Sequence, residues 1–229
     1  MQAATESDQS GVPAALRWEL LYRLEPELYA KLIDAEPLHP GILAWLPSRV
    51  ARAVEVGAGT GRLTLPLSAR CDQLIAVEPA TGMRRLLRHN LLADGAKSTR
   101  VMNGFFDALP VATGWAQLVV ACSSFTPDPA HGGEPGLAEM ERVCAPGGRV
   151  VIIWPSDPDW LSARGFEHVV FHGEMAMHFH SVEEAVELAT IFYPRSAEPI
   201  RRAGSSRVPY STLGIRPPHD LCWKAAPQR

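Results

Sequence analysis

Cysteine is sparse in this chain: four residues in 229, and no two of them form a Cys-x-x-Cys pair. Cys71, Cys122, Cys144 and Cys222 therefore outline neither a zinc frame nor a disulfide scaffold. Cys122 and Cys144, set in or beside apolar runs, read as reduced, buried thiols. No apolar run reaches the roughly 18–20 residues needed to cross a bilayer, and no basic-then-apolar leader stands at the N-terminus. No membrane association is expected, and a cytoplasmic location is. Positive charge is not in excess either: 22 Lys and Arg against 25 Asp and Glu give a net charge of −3. That balance offers no field to gather nucleic acid, and Arg201, Arg202, Arg207 and Arg216 read as a solvated face. Internal repeats are missing. The histidines of the 172–180 stretch form no helical His-x-x-x-His pair, so no metal is expected.

What the chain does contain is alternation. Apolar β-type runs at Arg52–Val56, Gln73–Val77, Thr99–Asn103, Ala116–Cys122 and Arg149–Trp154 are separated by helical patterns at Arg62–Ala69, Thr81–Asp94 and Glu134–Cys144. Thr81 is a candidate N-cap, Gly95 a stop, and Pro146-Gly147-Gly148 a turn into the fifth strand. Ala116–Cys122 is apolar almost throughout, as a strand buried on both faces requires. This order predicts an α/β fold with a doubly wound, mostly parallel sheet. Residues 1–13 are small and polar and are expected to be a disordered tail. A single domain then fills 14–229: a helical cover over 14–48, the alternating core over 49–154, and a weaker pattern over 155–229. Within the cover, helices are expected at Ala14–Leu24, Glu27–Ile33 and His39–Leu46. In the last region Ser181-Val182-Glu183-Glu184 is a capping box for a helix to Phe192. Glu167–Phe171, Leu221–Lys224 and Arg207–Leu213 read as strands.

The densest chemical signal is Val54-Glu55-Val56-Gly57-Ala58-Gly59-Thr60-Gly61, followed by Glu78 at the tip of the next apolar run. Glycines on alternate positions after a strand make a tight turn that a ligand can approach closely. An acid about twenty residues further on is placed to accept from ribose hydroxyls. A nicotinamide fingerprint would be Gly-x-Gly-x-x-Gly, but its last position here is Arg62, which disfavours an oxidoreductase.

With Glu55 before it, the Gly-x-Gly-x-Gly turn resembles motif I of the class I S-adenosylmethionine-dependent methyltransferases, and most of all the broad small-molecule (type 11) methyltransferase domain. Ile75-Ala76-Val77-Glu78-Pro79, Leu109-Pro110 before Gln117–Val120, and Pro146-Gly147-Gly148-Arg149 match the later motifs. The resemblance implies a Rossmann-like methyltransferase fold, a seven-stranded sheet closed by an antiparallel C-terminal strand, and S-adenosyl-L-methionine as cofactor with S-adenosyl-L-homocysteine as product. The implied cofactor residues are Glu55, Gly57, Ala58, Gly59, Thr60, Gly61, Glu78, Pro79, Met83, Gly104 and Phe105. The glycine turn would meet the aminocarboxylate, Glu55 the ammonium, Glu78 the ribose, and Pro79 and Met83 an adenine face. Two positions depart from the family pattern. Phe105 stands where many relatives carry an acid for the adenine amino group, so either Phe105 supplies a backbone N–H and a ring face, or Asp107 reaches back, or that group meets water. Gln117 replaces the acid usual at the start of strand four.

Acceptor contacts are expected from Ala121–Gly133, from Trp154–Trp160 and from the cover, with Trp18, Tyr22, Tyr29, Trp154 and Trp160 as candidate roof residues. No catalytic residue is assigned. His131 is the candidate base by its place after strand four, although an exposed loop histidine is the simpler reading; alternation would put His178 and His180 on one strand face lining the cavity. The expected partner is a small-molecule acceptor methylated at O, N or C, on a monomer or homodimer. Nucleic-acid methylation and a non-catalytic S-adenosylmethionine-binding protein are the alternatives.

Overall fold

The computed structural model describes residues 20 and 22–228. Its frame is a seven-stranded sheet built from β1 (Val50–Val56), β2 (Cys71–Val77), β3 (Thr99–Met102), β4 (Ala116–Cys122), β5 (Cys144–Ile153), β6 (Glu167–Val170) and β9 (Asp220–Ala225). The order is β3-β2-β1-β4-β5-β9-β6, and β9 alone runs antiparallel, between β5 and β6. The C-terminal strand thus takes two partners. The chain leaves β1 toward β2 on one side and re-enters as β4 on the other, so the order reverses between β1 and β4. A crevice at that reversal is where open α/β sheets bind ligands.

The sheet is held from both faces because its strands carry apolar residues at nearly every position. Val54, Val56, Val119, Ala121, Val150 and Ile152 pack on one side with Leu137, Met140 and Val143 of α5 (Gly133–Val143). Ala53, Leu74, Leu118, Val120, Val151 and Ile153 pack on the other with Ile42 of α2 (Pro40–Trp45) and Leu67 of α3 (Thr64–Ser68). Alternate side chains point to opposite faces, so β1 and β4 cannot slip by one residue without exchanging the two cores.

Several boundaries differ from expectation for physical reasons. The helix expected at Arg62–Ala69 shrinks to α3, because Gly61 sits at φ +109° and the chain is still turning there. Helix α4 (Thr81–Asp94) has the expected bounds, and Gly95 ends it in the left-handed conformation. Its N-cap, however, is Ala80, with no side-chain cap, and Thr81 lies inside the helix. The expected strand Arg207–Leu213 stops at Pro209, which has no N–H to extend the ladder. Tyr210–Leu213 coils into a short helix, and β8 (Arg207–Pro209) pairs only with β7 (Ala176–His178), outside the main sheet. The Ser181 cap forms as read: its Oγ accepts from Glu184 N at 3.1 Å, at the start of α7 (Val182–Phe192).

The cover contributes α1 (Pro26–Asp34) and α2. Of the helix expected at 14–24, residues 20 and 22–24 are described, and the rest, with Trp18 and the tail at 1–13, lies outside the described residues. Helix α1 packs on α4, with Pro26 against Gly82. Its far side joins a separate apolar cluster in which Leu32 and Ala35 meet Met177, Leu188, Phe192, Ile200 and Tyr210. The cover and the region after β5 are thereby fused above the carboxyl ends of the strands.

Candidate functional site

The glycine turn forms where β1 ends. Gly57 adopts φ +73°, and a Cβ there would lie 2.4 Å from Ser124 Oγ, so no other residue fits without moving the end of β4. Gly59 adopts φ +56° and has no atom within 4 Å of the place a Cβ would occupy. The turn is therefore tight on its sheet side and open on the other. That open space beside exposed backbone is the cradle a ligand needs.

Glu78 closes one wall. Its side chain is fully buried at the end of β2, where Oε2 accepts from Gly59 N at 2.9 Å and Oε1 from Ala80 N at 2.8 Å. The Tyr22 hydroxyl lies within reach of the same carboxylate. Burial raises the carboxyl above the usual range, and the bonds from Tyr22, Ala80 and Gly59 oppose that rise. Arg84 braces the same strand end, donating to the Glu78 carbonyl at 2.7 Å and to Asn103 Oδ1 at 2.8 Å.

Glu55 lies beneath the turn, 1% exposed. Arg62, Glu78 and the Thr64 hydroxyl are within electrostatic reach. Yet neither Glu55 Oε2 nor Thr64 Oγ1 has a hydrogen-bond partner of regular geometry among the described residues. Burial pushes the Glu55 carboxyl up to about 8. Between pH about 4.5, its ordinary value, and about 8, the folded protein holds a proton that the unfolded chain has released. Stability should therefore fall as pH rises through that window, by up to about 1.4 kcal/mol per unit. Glu55→Gln should remove this slope and melt higher than the parent at pH about 8. Parallel melting profiles for the two proteins at low and high pH would refute the assignment.

Arg62, directly after Gly61, is the cation of the crevice. It ion-pairs with Glu36, which follows α1, the two side chains being 13% and 4% exposed. It also donates to Ser123 Oγ and approaches Cys122 Sγ at 3.6 Å. Burial is the largest influence and works against its charge, but Glu36 together with Cys122, Tyr29 and Tyr210 outweighs it and holds the guanidinium protonated. Ser123 and Trp154 adopt φ +59° and +52° at the ends of neighbouring strands β4 and β5. Left-handed backbone at non-glycine residues is strained and concentrates at functional sites. A cavity of about 290 Å³, lined by Ile33, Asp34, Glu36, Leu43 and Arg62, opens beside the ion pair. Elsewhere, the Tyr210 hydroxyl and Trp154 Nε1 are buried without a hydrogen-bond partner among the described residues.

The expected site residues do not all converge. Glu55, Gly57, Ala58, Gly59, Thr60, Gly61 and Glu78 surround the turn. Met83 is fully buried in the helix core, Pro79 is exposed, and Gly104 packs on Val77 and Pro110. Phe105 is 54% exposed, so its ring is open to solvent. Gln117 has structural work of its own: its Oε1 accepts from Arg52 N at 2.9 Å across the sheet. Two acceptor-side readings need correction. His178 is exposed while its neighbours Ala176 and Met177 are buried, and His180 lies past the strand, exposed, with Nδ1 2.9 Å from Glu184 Oε2. The strand ends at His178, so the alternation does not carry on to His180, and both side chains lie exposed. His131 is exposed on a single 3₁₀ turn. The Cys122 thiol is raised by burial, which makes it a poor nucleophile. No cluster of His, Cys, Asp and Glu suited to a metal occurs among the described residues, and none of their helices is long and apolar enough to cross a membrane.

Glu36 and Thr64 were not candidates from sequence, Ser123 counted only within the acceptor stretch Ala121–Gly133, and Arg62 only as a missing glycine and a helix start. Its place directly after the turn was the available signal. Glu36 gave none, because its partner is 26 residues away.

A sequence profile described as "Methyltransferase domain" matches residues 53–148. An uncharacterized methyltransferase of Mycobacterium tuberculosis is 32% identical over 121 residues, covering 50% of this chain and 44% of the relative. The chloroplastic 2-methyl-6-phytyl-1,4-hydroquinone methyltransferase 2 of Oryza sativa subsp. japonica is 31% identical over 147 residues, covering 62% and 38%. This chain thus spans less than half the length of the curated relatives it matches. Among solved structures, the (4+2)-cyclase SpnF superposes with a TM-score of 0.59 at 13% identity, covering 95% of this chain and 96% of that one. The YcgJ protein of Bacillus subtilis gives 0.54 at 12% identity, covering 83% and 97%.

Proposed function

We propose that this chain, which belongs to the class I S-adenosylmethionine-dependent methyltransferases, transfers a methyl group to an O, N or C nucleophile of a small molecule and leaves S-adenosylhomocysteine. The observation that carries this reading is the pairing of a buried Glu78 with the open Gly59 turn.

The residues present fit the cofactor. Glu78 has two carboxylate oxygens where ribose hydroxyls would donate, and an ionised carboxylate accepts from both. Glu55 Oε2 and Thr64 Oγ1 are buried polar atoms without a partner of regular geometry among the described residues, suited to the ammonium group. Arg62 is a buried cation suited to the carboxylate. When bound, S-adenosylmethionine supplies a methyl group already activated on a sulfonium sulfur. The protein then has to exclude water and hold the acceptor in line, at roughly 3–3.5 Å from the methyl carbon. The cover packs against the region after β5 in one apolar cluster, which supports reading the two together as the roof of that space. With His131 exposed, proton removal is assigned to no histidine.

A small acceptor suits a net charge of −3 and a cavity of about 290 Å³ better than a nucleic acid does. The hydroquinone in the rice relative's name points the same way. The fold alone does not fix the chemistry, since SpnF shares it and is named a cyclase. The test is incubation with S-adenosylmethionine and a panel of phenols, hydroquinones and amines, followed by assay of S-adenosylhomocysteine. Formation with at least one acceptor is expected. Tight binding of the cofactor without product from any acceptor would favour the non-catalytic reading.

A further inference from the structure

Two side chains of the N-terminal segment satisfy the polar groups on which the proposed cofactor site depends. The Tyr22 hydroxyl, on a ring packed edge-to-face against Tyr29, lies within reach of Glu78, where a ribose hydroxyl would donate. Glu36 places a carboxylate on Arg62, the buried cation beside the glycine turn, as the cofactor's own carboxylate would. These contacts are at opposite ends of the crevice, and both come from the segment that carries α1. We propose that this segment is a built-in competitor of the cofactor: Tyr22 stands in for the ribose and Glu36 for the aminocarboxylate end, so that loading exchanges both contacts and lifts the cover. The inference rests on the cofactor reading above and adds how the site is guarded.

Each stand-in matches its counterpart in chemistry. Glu78 is buried and needs hydroxyl or N–H donors; two come from the Gly59 and Ala80 backbone and the third is the phenol. Arg62 is buried and needs an anion, and the carboxylate is the cofactor's only one. Tyr22 is joined to α1 by an edge-to-face contact with Tyr29, the ring centroids 5.2 Å apart, and Tyr29 meets Phe192 of α7 in the same way at 6.5 Å. Tyr22 is thereby packed onto α1, which Glu36 follows, so release at Glu78 loosens the element that leads to Glu36. A competitor held within the same chain lowers apparent affinity by the fraction of time it occupies the site.

The experiment is titration calorimetry of S-adenosylmethionine into the full chain, Tyr22→Phe and Glu36→Gln, with hydrogen exchange over residues 22–36 as an independent readout. Tyr22→Phe keeps the ring packing and deletes one charge-assisted hydrogen bond, so affinity should rise about tenfold. Glu36→Gln should also bind more tightly, and cofactor should raise its melting temperature by more than it raises the parent's, because Arg62 is left without its anion until the carboxylate arrives. In the parent, cofactor should speed exchange over 22–36. Should Glu36→Gln fail to fold, Tyr22→Phe and the exchange data decide. If the parent binds and Tyr22→Phe binds equally or about tenfold more weakly, with slower exchange over 22–36, Tyr22 holds the cofactor instead of competing with it and the proposal is overturned. If neither the parent nor any variant binds, the cofactor reading itself fails.

Discussion

Glu78→Ala is expected to abolish measurable binding of S-adenosylmethionine and to lower the melting temperature of the free protein as well. Hydrogen bonds to a charged group contribute about 1.5–3 kcal/mol each, so two ribose bonds amount to roughly a hundred- to several-thousand-fold in affinity. The stability loss has a separate origin. Gly59 N–H and Ala80 N–H end on this carboxylate in a fully buried place, and the Tyr22 hydroxyl lies within its reach. Each donor left without an acceptor costs about 1–3 kcal/mol. Glu78→Gln separates the two effects. Its amide oxygen still accepts from one side, while its NH₂ faces a backbone N–H, so it should bind weakly and melt between the parent and the alanine variant. Calorimetry and thermal melts on the three proteins check this. Unchanged affinity in Glu78→Ala would remove the ribose from this wall.

Arg62→Leu should destabilise the protein by about 3–5 kcal/mol, because it strands the Glu36 carboxylate in an apolar surround. The partner side chain is 4% exposed, and its guanidinium partner also ties down Ser123 at the end of β4. Replacing both members, as Arg62→Leu with Glu36→Leu, removes the stranded charge and should recover most of the loss. Denaturant unfolding of the parent, both single variants and the double variant gives the coupling energy directly. A double variant as unstable as the sum of the singles would show that the two residues do not depend on each other. The double variant also lacks the cation assigned to the cofactor's carboxylate. It should fold and yet bind S-adenosylmethionine poorly, which distinguishes a damaged site from a damaged fold.

The sheet was legible in the sequence because its strands are buried on both faces. Runs such as Ala116–Cys122 leave no other period open, and the bounds of that one agree with the structure. Glu78 was legible as well, since an acid at the tip of the second strand has a fixed relation to the turn after the first. Where local and tertiary signals diverge, the sequence was mute. Thr81 has the chemistry of a cap, but the chain enters the helix one residue earlier. Arg207–Leu213 alternates like a strand, yet Pro209 ends its ladder. His178 and His180 share a face by alternation, but the strand ends at His178 and both side chains are exposed. Met83 fits an adenine face by spacing, and instead fills the core beneath α4. The Glu36–Arg62 pair needs the cover folded over the crevice before its members meet. Ser123 and Trp154 carry left-handed backbone with no glycine to announce it.

The account stands on the crevice between β1 and β4 being built for a sulfonium nucleoside. Titration calorimetry of the unmodified chain with S-adenosylmethionine, repeated in buffers of different ionisation enthalpy and with NAD as the competing ligand, tests that most directly. The predicted result is one-to-one binding of S-adenosylmethionine, with protons released below pH about 8 as Glu55 ionises beside the ammonium, and affinity that rises toward that pH. NAD should give no heat. Binding of the dinucleotide with none of S-adenosylmethionine at any pH would contradict it.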